Sequence, residues 1–393
     1  MAKYLLEIGT EELPYKFIPS ALEQLKELFS DYLKDKRVEF ERVLTYGTPR
    51  RLSIIIERLS ERQPDVVREI KGPPAKIAYD ANGNLTNAGL GFAKKQNLDP
   101  SILKKKDIDG TEYLWASVKE AGLHVQDVLK EAVPALVLNL QGARFMRWGD
   151  LDIRFSRPIR WIVSLLDEQE VKINIANVES SRESRGHRFA NPMKIAIQSP
   201  DTYLDDLLKV KVIADNDKRR EEIVKQIHAA AKSKGGVPKI NPELLKEVTN
   251  LVEYPYPVIG SFDSKYLEVT QDVIVSVLAY HQRYFPVYDK QGRLLNYFIT
   301  LANHDSQCVD NIKRGNERVV KARLDDAIFF YREDTKKQLK DRVEELKGVT
   351  FQKGLGSVYD KTQRVREIAA FLAEKTGLSA DMKQKIERTA YLC

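Results

Sequence analysis

The sequence predicts a mixed α+β fold that is divided into several domains. Short apolar and β-branched runs such as Tyr4–Ile8 and Arg51–Arg58 are interspersed with helical periodicity up to residue 310, and helical periodicity alone follows. A chain of 393 residues is long enough for two or three domains. We therefore expect two α/β units with mixed sheets, at residues 1–198 and 199–310, followed by an all-helical region at 311–393.

The elements of the first unit begin with a buried strand. The apolar run Tyr4–Ile8 is long enough for one strand, and Gly9 ends it. Ser20 with Glu23 three residues later is a capping-box pattern, which predicts the start of a helix at Ser20. Arg51–Arg58 is rich in β-branched residues and predicts a second strand.

Turn and breaker residues mark the next elements. Asn82–Gly83 is a strong turn signal and predicts a hairpin within Ala75–Leu85. Apolar residues between Val125 and Leu136 recur at helical spacing, and Pro134 predicts a kink there or a division into two helices. Ile159–Leu166 predicts a further strand.

The second half of the chain changes from mixed to helical patterns. Ser199–Pro200 predicts a domain boundary, Arg219–Lys232 a helix and Leu294–Ala302 a strand. Three apolar stripes at helical spacing follow after residue 310. The last helix starts with Ser379 as N-cap and reaches Cys393 with no stop signal, so we expect a chain that is cut short there.

Composition restricts the classes of protein to which the chain can belong. A hydrophobic content of 42% with 31% charged residues is typical of a globular protein and argues against disorder. Ala132–Leu138 is the longest apolar stretch, far short of the ~18 residues of a membrane span. Two distant cysteines, Cys308 and Cys393, fit a reducing compartment. We expect no membrane contact and a cytoplasmic location.

The chain is basic, with a formal net charge of +7 and a pI near 9.0. Basic proteins attract polyanions, because each neutralised phosphate releases condensed counterions. Charge alone does not decide the matter, since many basic proteins bind no nucleic acid. The charge therefore admits RNA as a partner without requiring it.

Seven strings, spread in order along the whole chain, carry a family resemblance. They are MAKYLLEIGTEELP, KGPPAKIAYDANGNLTNAGLGFAKKQ, MRWGDLDIRFSRPIRWIVSLL, SRGHRF, EYPYPVIGSF, VLAYHQRYFPVYD and RGNERVVKARLDDAIFFYRED. Together they resemble the N-terminal part of the beta subunit of bacterial heterotetrameric (α2β2) glycyl-tRNA synthetase. The resemblance implies an HD-like helical fold without metal chemistry in the later part of the chain. It also implies that the anticodon-binding domain of the family is absent here.

The resemblance also implies a function and partners. The beta subunit would support ATP-dependent attachment of glycine to tRNA(Gly) by positioning the tRNA and by assembling with the catalytic alpha subunit. ATP and Mg²⁺ would bind at the alpha subunit, with no cofactor in this chain and no DNA as a partner. The alternative function is a stand-alone tRNA-binding module without a ligase partner.

The sequence contains no adenylation motif of its own. HIGH-like and KMSKS-like strings are missing, and Arg332, the nearest arginine to a second-class motif, precedes Asp334 on a helical stripe. The loop Gly354–Ser357 lacks the Gly-Lys-Ser/Thr of a phosphate loop. The turn-forming residues around His304–Asp305 predict a turn there. No two histidines lie at i, i+4 spacing, so we predict no metal site. We also predict no catalytic residue in this chain.

Basic strings that also contain aromatic residues are the better functional candidates. Arginine can clamp phosphates with two hydrogen bonds, and aromatic rings can stack on unpaired bases. The alternatives are a protein–protein interface, or arginine stems that cover the edge of a core. The candidates for tRNA or subunit contact are Arg144, Arg147, Arg157, Arg160, Arg185, His187, Arg188, Arg283, Arg314, Arg318, Lys321 and Arg323.

The last four candidates lie on one predicted helix. Arg314, Arg318 and Lys321 are spaced i, i+4, i+7, which puts them on one face of that helix. Such a face suits an RNA backbone or an acidic partner surface, and a plain solvated face is the alternative. Glu11 and Glu12 are interpreted as carboxylates that favour a helix N-terminus.

Overall fold

The computed structural model describes residues 1–80 and 83–393. The chain forms two compact units. The first comprises Met1–Ala229, Ile240–Val258 and Leu301–Val309, and the second comprises Ala230–Lys239, Ile259–Thr300 and Asp310–Cys393. Helices and several separate sheets are both present, so the predicted α+β multidomain class is confirmed. The predicted domain boundaries at 198 and 310 stay predictions, and the predicted turn at Asn82–Gly83 falls partly outside the described residues.

The secondary-structure elements follow in chain order. The α-helices are α1 (Phe17–Asp35), α2 (Ala75–Ala78), α3 (Asn87–Gln96), α4 (Val125–Leu138), α5 (Tyr203–Lys209), α6 (Asn216–Ser233), α7 (Pro242–Thr249), α8 (Gln271–Val275), α9 (Val309–Thr335), α10 (Leu339–Arg342), α11 (Val358–Lys375) and α12 (Ala380–Leu392). The strands are β1 (Ala2–Thr10), β2 (Arg42–Thr48), β3 (Arg51–Leu59), β4 (Val66–Pro74), β5 (Leu103–Ile108), β6 (Thr111–Glu120), β7 (Ile159–Leu166), β8 (Gln169–Glu170), β9 (Asn174–Ile175), β10 (Val178–Ser181), β11 (Glu183–Arg185), β12 (Lys194–Ala196), β13 (Val237–Pro238), β14 (Pro255–Ser261), β15 (Phe285–Tyr288), β16 (Leu294–Asn303), β17 (Thr350–Gln352) and β18 (Gly356–Ser357).

The first unit is built around a sheet with the strand order β2-β3-β1-β7-β10-β9. Strand β1 runs antiparallel to β3 and β7 on either side, with Leu6 opposite Ile54 and Ser164. Side chains of one face of β1, such as Leu6, pack in a core with α1 and α4, and those of the other face pack with Tyr203 of α5. The strands predicted from the apolar runs of β1, β3 and β7 are confirmed. The predicted end of β1 at Gly9 is wrong, because Gly9 pairs with Arg51 and Trp161 and the strand continues to Thr10.

Helix α1 begins earlier than its capping-box pattern predicts. Its first residue is Phe17, and Ser20 lies inside the first turn, so the predicted start at Ser20 is wrong. The Phe17 amide donates to the Pro14 carbonyl at 2.9 Å, which starts the turn before Ser20 is reached. Pro19 is tolerated there because the first amides of a helix have no intrahelical partner.

Helix α4 contains Pro134 within one continuous element. The prediction left open a kink or two helices, and the structure has one helix. Proline removes one backbone hydrogen bond from a helix interior. Buried residues on both sides of it, including Leu129 and Val133, anchor the helix on the core of the first unit and offset that loss.

A smaller sheet in the first unit has the strand order β4-β6-β5. Leu114 and Ala116 of β6 face a small core with Leu103, and Ala78 of α2 and Ala93 of α3 close it. Helices therefore cover one face of this sheet. A hairpin was predicted within Ala75–Leu85, but its first residues, Ala75–Ala78, form helix α2 instead of a strand. The strands β4, β5 and β6 were not predicted.

The second unit has its own sheet and core. Strand β13 pairs with β15, and β15 runs antiparallel to β16 with Phe285 opposite Ile299. Phe298 packs with Val320 and Leu324, the buried residues of α9. Beyond α9 the chain is helical apart from the β17–β18 hairpin. Within the described part of the chain, none of the helices combines the length and the apolar character that crossing a bilayer requires.

Candidate functional site

A buried polar network lies at the middle of the large sheet. Glu7 of β1 is fully buried, and one of its carboxylate oxygens accepts hydrogen bonds from Trp161 Nε1 and from Ser184 Oγ, the latter at 2.6 Å. The Tyr203 hydroxyl donates to the other oxygen at 2.6 Å. Arg51 Nη1 lies 3.5 Å from that same oxygen. Four donors therefore satisfy this carboxylate, which identifies it as a structural group.

Arg51 carries the network to a second buried carboxylate. Its Nε and Nη2 both lie 3.2 Å from Glu253 Oε1, and the Thr48 hydroxyl donates to the same oxygen at 2.6 Å. Burial alone would raise the pKa of Glu253, but the Arg51 guanidinium and the Thr48 hydroxyl hold it below its ordinary value. Arg51 also donates to the Arg185 carbonyl at 2.9 Å. The arginine thus joins four separate segments of the first unit.

Glu11 and Glu12 form a rim of ion pairs. They precede α1 as predicted, but no acidic residue lies in the first turn of that helix. The Arg188 guanidinium bonds Glu11 and lies 3.4 Å from Glu12 Oε1. Arg160 Nε lies 3.4 Å from Glu11 Oε1. The hydrogen bond from Arg188 is the main reason why the pKa of Glu11 is lowered. Two predicted contact residues are therefore already paired with acids of the same unit.

Trp161 is surrounded by guanidinium groups. The Cζ atoms of Arg50, Arg51 and Arg185 lie 5.4, 5.6 and 5.0 Å from the centre of its ring. Arg50 is buried, and burial lowers its pKa. These cation–π contacts show that Arg185 has a packing role in addition to the contact role predicted for it.

His187 is fully buried beneath the rim. The amides of Phe189 and Ala190 donate to its Nδ1 at 3.2 and 3.0 Å, so Nδ1 accepts and the proton resides on Nε2. Nε2 in turn donates to Asn303 Oδ1 at 2.8 Å. Burial lowers the pKa of His187, and a proton on Nδ1 would face two amide donors. The side chain presents no surface to an RNA in this conformation.

Helix α9 of the second unit carries an open basic face. Arg314, Arg318 and Lys321 are exposed, and Arg314 donates to Asn311 at 2.6 Å. Across residues 1–80 and 83–393, neither Arg318 nor Lys321 forms an ion pair. Arg323 is exposed but lies about 180° around the helix from Arg314. The structure therefore brings three of these four residues together and separates the fourth.

The remaining candidates are dispersed. Arg144 is exposed in a left-handed backbone conformation, with φ 60°. Arg147 Nη1 lies 4.0 Å from Asp152, and Arg157 donates to the Ser156 carbonyl at 2.8 Å. Arg283 is exposed, with φ 61°. A contact role for each of the twelve candidates stays a prediction.

His304 lies near two groups that metals can use. Its Nδ1 is 2.9 Å from Asp305 Oδ1, and its Nε2 is 3.9 Å from Cys308 Sγ. In the described residues, however, no group of three or more His, Cys, Asp or Glu side chains could hold a metal ion. The ring of Phe189 stacks on His304 at 6.4 Å, so this histidine takes part in packing.

Two features escaped the sequence analysis. The Glu7–Arg51–Glu253 network was missed, although a glutamate inside the apolar run YLLEIG is a signal for a paired buried charge. The open face of the small sheet was also missed. Its signal is an alternation of period two, with Lys104 and Lys106 in one strand and Tyr113 and Trp115 in the next.

Comparison with known proteins assigns the chain to the subunits of aminoacyl-tRNA synthetases. Residues 4–393 match the family model described as Glycyl-tRNA synthetase beta subunit, and the chain belongs to that family. The chain is 44% identical over 393 residues to the glycine–tRNA ligase beta subunit of Clostridioides difficile (strain 630), covering 100% of this chain and 57% of that protein. It is 43% identical over 389 residues to the glycine–tRNA ligase beta subunit of Trichlorobacter lovleyi (strain ATCC BAA-1151 / DSM 17278 / SZ). That match covers 99% of this chain and 56% of the relative. The chain thus spans a little over half the length of these relatives.

Proposed function

We propose that this chain is the N-terminal part of the beta subunit of a glycine–tRNA ligase and supports ATP-dependent attachment of glycine to tRNA(Gly). The observation that carries the proposal is the family match over residues 4–393. The sequence contains no adenylation motif, so the adenylation site, ATP and Mg²⁺ belong to the alpha subunit. This chain holds no cofactor and works in the cytoplasm.

The contribution of the chain is to position tRNA. Holding the acceptor end at the alpha subunit converts an encounter in solution into a reaction between oriented groups. The exposed face of α9 with Arg314, Arg318 and Lys321 supports such a role, because none of the three forms an ion pair with a residue in 1–80 or 83–393. Each phosphate that this face neutralises would release counterions.

Assembly with the alpha subunit is the second part of the proposal. The rim formed by Arg160, Arg188, Glu11 and Glu12 carries both signs of charge, already paired with each other. Paired charges attract a polyanion weakly and suit a protein partner with its own mixed charges. We therefore assign the α9 face to tRNA and the rim to the alpha subunit.

Glycylation of tRNA(Gly) by purified alpha subunit, with and without this chain, tests the proposal. The expected result is a higher rate with the chain present. An unchanged rate together with separate elution of chain and alpha subunit on size exclusion would overturn it. Co-elution with an unchanged rate would overturn the positioning role and retain assembly.

A further inference from the structure

The small sheet of the first unit has one covered face and one open face. Leu103, Leu114 and Ala116 point into the core that α2 and α3 close. Side chains alternate between the two faces of a strand, so Tyr113 and Trp115 of the central strand β6 lie on the other face.

The open face interleaves aromatic rings with lysines. The register places Lys71 of β4 and Lys104 of β5 on either side of Trp115, and Lys106 of β5 opposite Tyr113. Lys71 Nζ lies 3.5 Å from the centre of the Tyr113 ring, and Lys106 Nζ lies 4.2 Å from that of Trp115. Both rings are half-buried and all three lysines are exposed.

The charge of this face is positive and only partly neutralised. Glu69 of β4 accepts hydrogen bonds from Lys106 at 2.6 Å and from Trp115 Nε1 at 2.9 Å. The hydrogen bond from Trp115 Nε1 to Glu69 fixes the indole in place on the sheet. Lys71 and Lys104 form no ion pair with any residue in 1–80 or 83–393. The face therefore offers one ring held by a hydrogen bond, Trp115, a second ring, Tyr113, and two cations, Lys71 and Lys104, that lack an ion-pair partner among the described residues.

We propose that this open face binds unpaired RNA nucleotides, with bases stacked on Tyr113 and Trp115 and phosphates neutralised by Lys71 and Lys104. Stacking accepts any base, because every base has a π-face, and lysines beside the rings can follow the backbone. A sheet that presents aromatic side chains to splayed-out bases is a recurring RNA-binding arrangement. The lysine now over Tyr113 makes an exposed cation–π contact, which is weaker than base stacking and yields to it.

This inference rests on the proposed function and deepens it, since it names unpaired RNA as a ligand of the subunit. It is independent of the α9 face, which belongs to the second unit. Its test uses the whole chain and short RNA alone, without the alpha subunit. Failure of this test and failure of glycylation are therefore distinguishable.

The first measurement is fluorescence anisotropy of a labelled twelve-nucleotide oligo(A) RNA titrated with the chain. Trp115→Leu is expected to weaken binding roughly tenfold or more, because stacking on one ring is lost. Trp115→Phe keeps a stacking ring and is expected to retain most of the affinity. A blunt duplex RNA of equal length is expected to bind more weakly, because its bases are already stacked.

Matched charge variants separate this face from general basicity. Lys71→Gln with Lys104→Gln is expected to lower the slope of log affinity against log salt by about 1.4, since each phosphate contact of a single strand contributes about 0.7. Lys94→Gln with Lys95→Gln removes the same charge from the last turn of α3, on the covered side of the sheet. This control is expected to leave the affinity within about twofold of wild type.

Intrinsic fluorescence supplies a readout tied to one ring. RNA is expected to quench the wild-type tryptophan emission, and Trp115→Phe is expected to remove that quenching, whereas Trp148→Phe leaves it in place. Equal RNA affinity for wild type, Trp115→Leu and the lysine double variant would overturn the proposal. So would loss of co-elution with the alpha subunit in those variants at unchanged RNA affinity, which would make the face a protein interface.

Discussion

Arg51 and Glu253 lie 202 residues apart in the chain and meet in a fully buried ion pair. The guanidinium approaches one carboxylate oxygen at 3.2 Å with two of its nitrogens, and it also lies 3.5 Å from Glu7. Burial would lower the pKa of Arg51, but Glu253 and Glu7 raise it overall. One cation thus compensates two buried carboxylates, and its loss would leave both unpaired.

Removing Arg51 is expected to destabilise the first unit strongly. Arg51→Met leaves Glu7 and Glu253 buried without their ion-pair partner, which costs about 3–5 kcal/mol of unfolding free energy for a broken buried pair. Urea denaturation followed by tryptophan fluorescence measures this. All three tryptophans, at 115, 148 and 161, belong to the first unit, so the signal reports on that unit.

An exposed pair in the same unit provides the control for this prediction. Arg58 Nε lies 3.6 Å from Glu41, and both side chains are exposed. Glu41→Gln is expected to change the free energy of unfolding by less than about 1 kcal/mol. A cost of Arg51→Met no larger than that of Glu41→Gln would contradict the role given to the network.

His187 is expected to make stability depend on pH. Its pKa in the folded state lies below the ordinary value of 6.5, because of burial, so the unfolded chain binds the proton more readily. The stability contributed by the neutral ring is complete above pH 6.5 and is lost as pH falls below it. The loss is at most about 1.4 kcal/mol per pH unit.

The measurement compares the free energies of unfolding of wild type and His187→Gln between pH 7.5 and 5. The advantage of wild type is expected to shrink as the pH falls. Glu11 and Glu253 also have lowered pKa values, but their ordinary value is 4.5, so their contribution is lost only at lower pH. A difference between the two proteins that does not vary with pH would refute the prediction.

Two glycines are expected to respond in opposite directions to the same change. A Cβ at Gly9 would lie 1.9 Å from the Trp161 ring, so Gly9→Ala must displace the indole that donates to Glu7. A loss of about 1–3 kcal/mol is expected for such overpacking. Gly91 lies within α3 with nothing within 4 Å of its would-be Cβ.

Gly91→Ala is therefore expected to stabilise the chain by up to about 1 kcal/mol, as alanine does in helix interiors. Thermal and urea unfolding of both variants give the comparison. Equal effects of the two substitutions would mean that the close contact between Gly9 and Trp161 is not a constraint on the fold.

The basic face of α9 is expected to bind tRNA through Arg318 and not through Arg323. Both residues are exposed on the same helix, and replacement by glutamine removes one charge from each. Arg318→Gln is expected to lower the slope of log tRNA affinity against log salt by about 0.9, as one phosphate contact in a duplex contributes. Arg323→Gln is expected to leave the slope unchanged. Filter binding at several salt concentrations measures this slope. Equal slopes for the two variants would contradict a tRNA-binding role of the α9 face.

Local patterns in the sequence predicted the strands of the large sheet. β1, β3 and β7 are apolar on both faces because helices cover each side, and such runs are visible without any knowledge of the fold. The start of α1 could not be predicted from its capping pattern, because a turn at Pro14 preceded it. The three strands of the small sheet are polar on one face, and β5 contains three consecutive lysines, which weakens their β signal.

Fewer features of the candidate site than of the large sheet could be predicted from local sequence patterns. The helical spacing of Arg314, Arg318 and Lys321 was readable, because both the period and the charge are local. Burial of His187 and pairing of Arg188 with Glu11 were not, because these contacts join segments more than 100 residues apart. A single sequence can signal that a charge is buried, as Glu7 does within its apolar run, but it does not identify the distant partner.

The most direct test of the proposed function is the initial rate of tRNA(Gly) glycylation at fixed alpha subunit, titrated with this chain. We predict a rate that rises and then saturates near one chain per alpha subunit, with a lower plateau for Arg318→Gln than for Arg323→Gln. A rate that stays at the level of the alpha subunit alone across the titration would contradict the account.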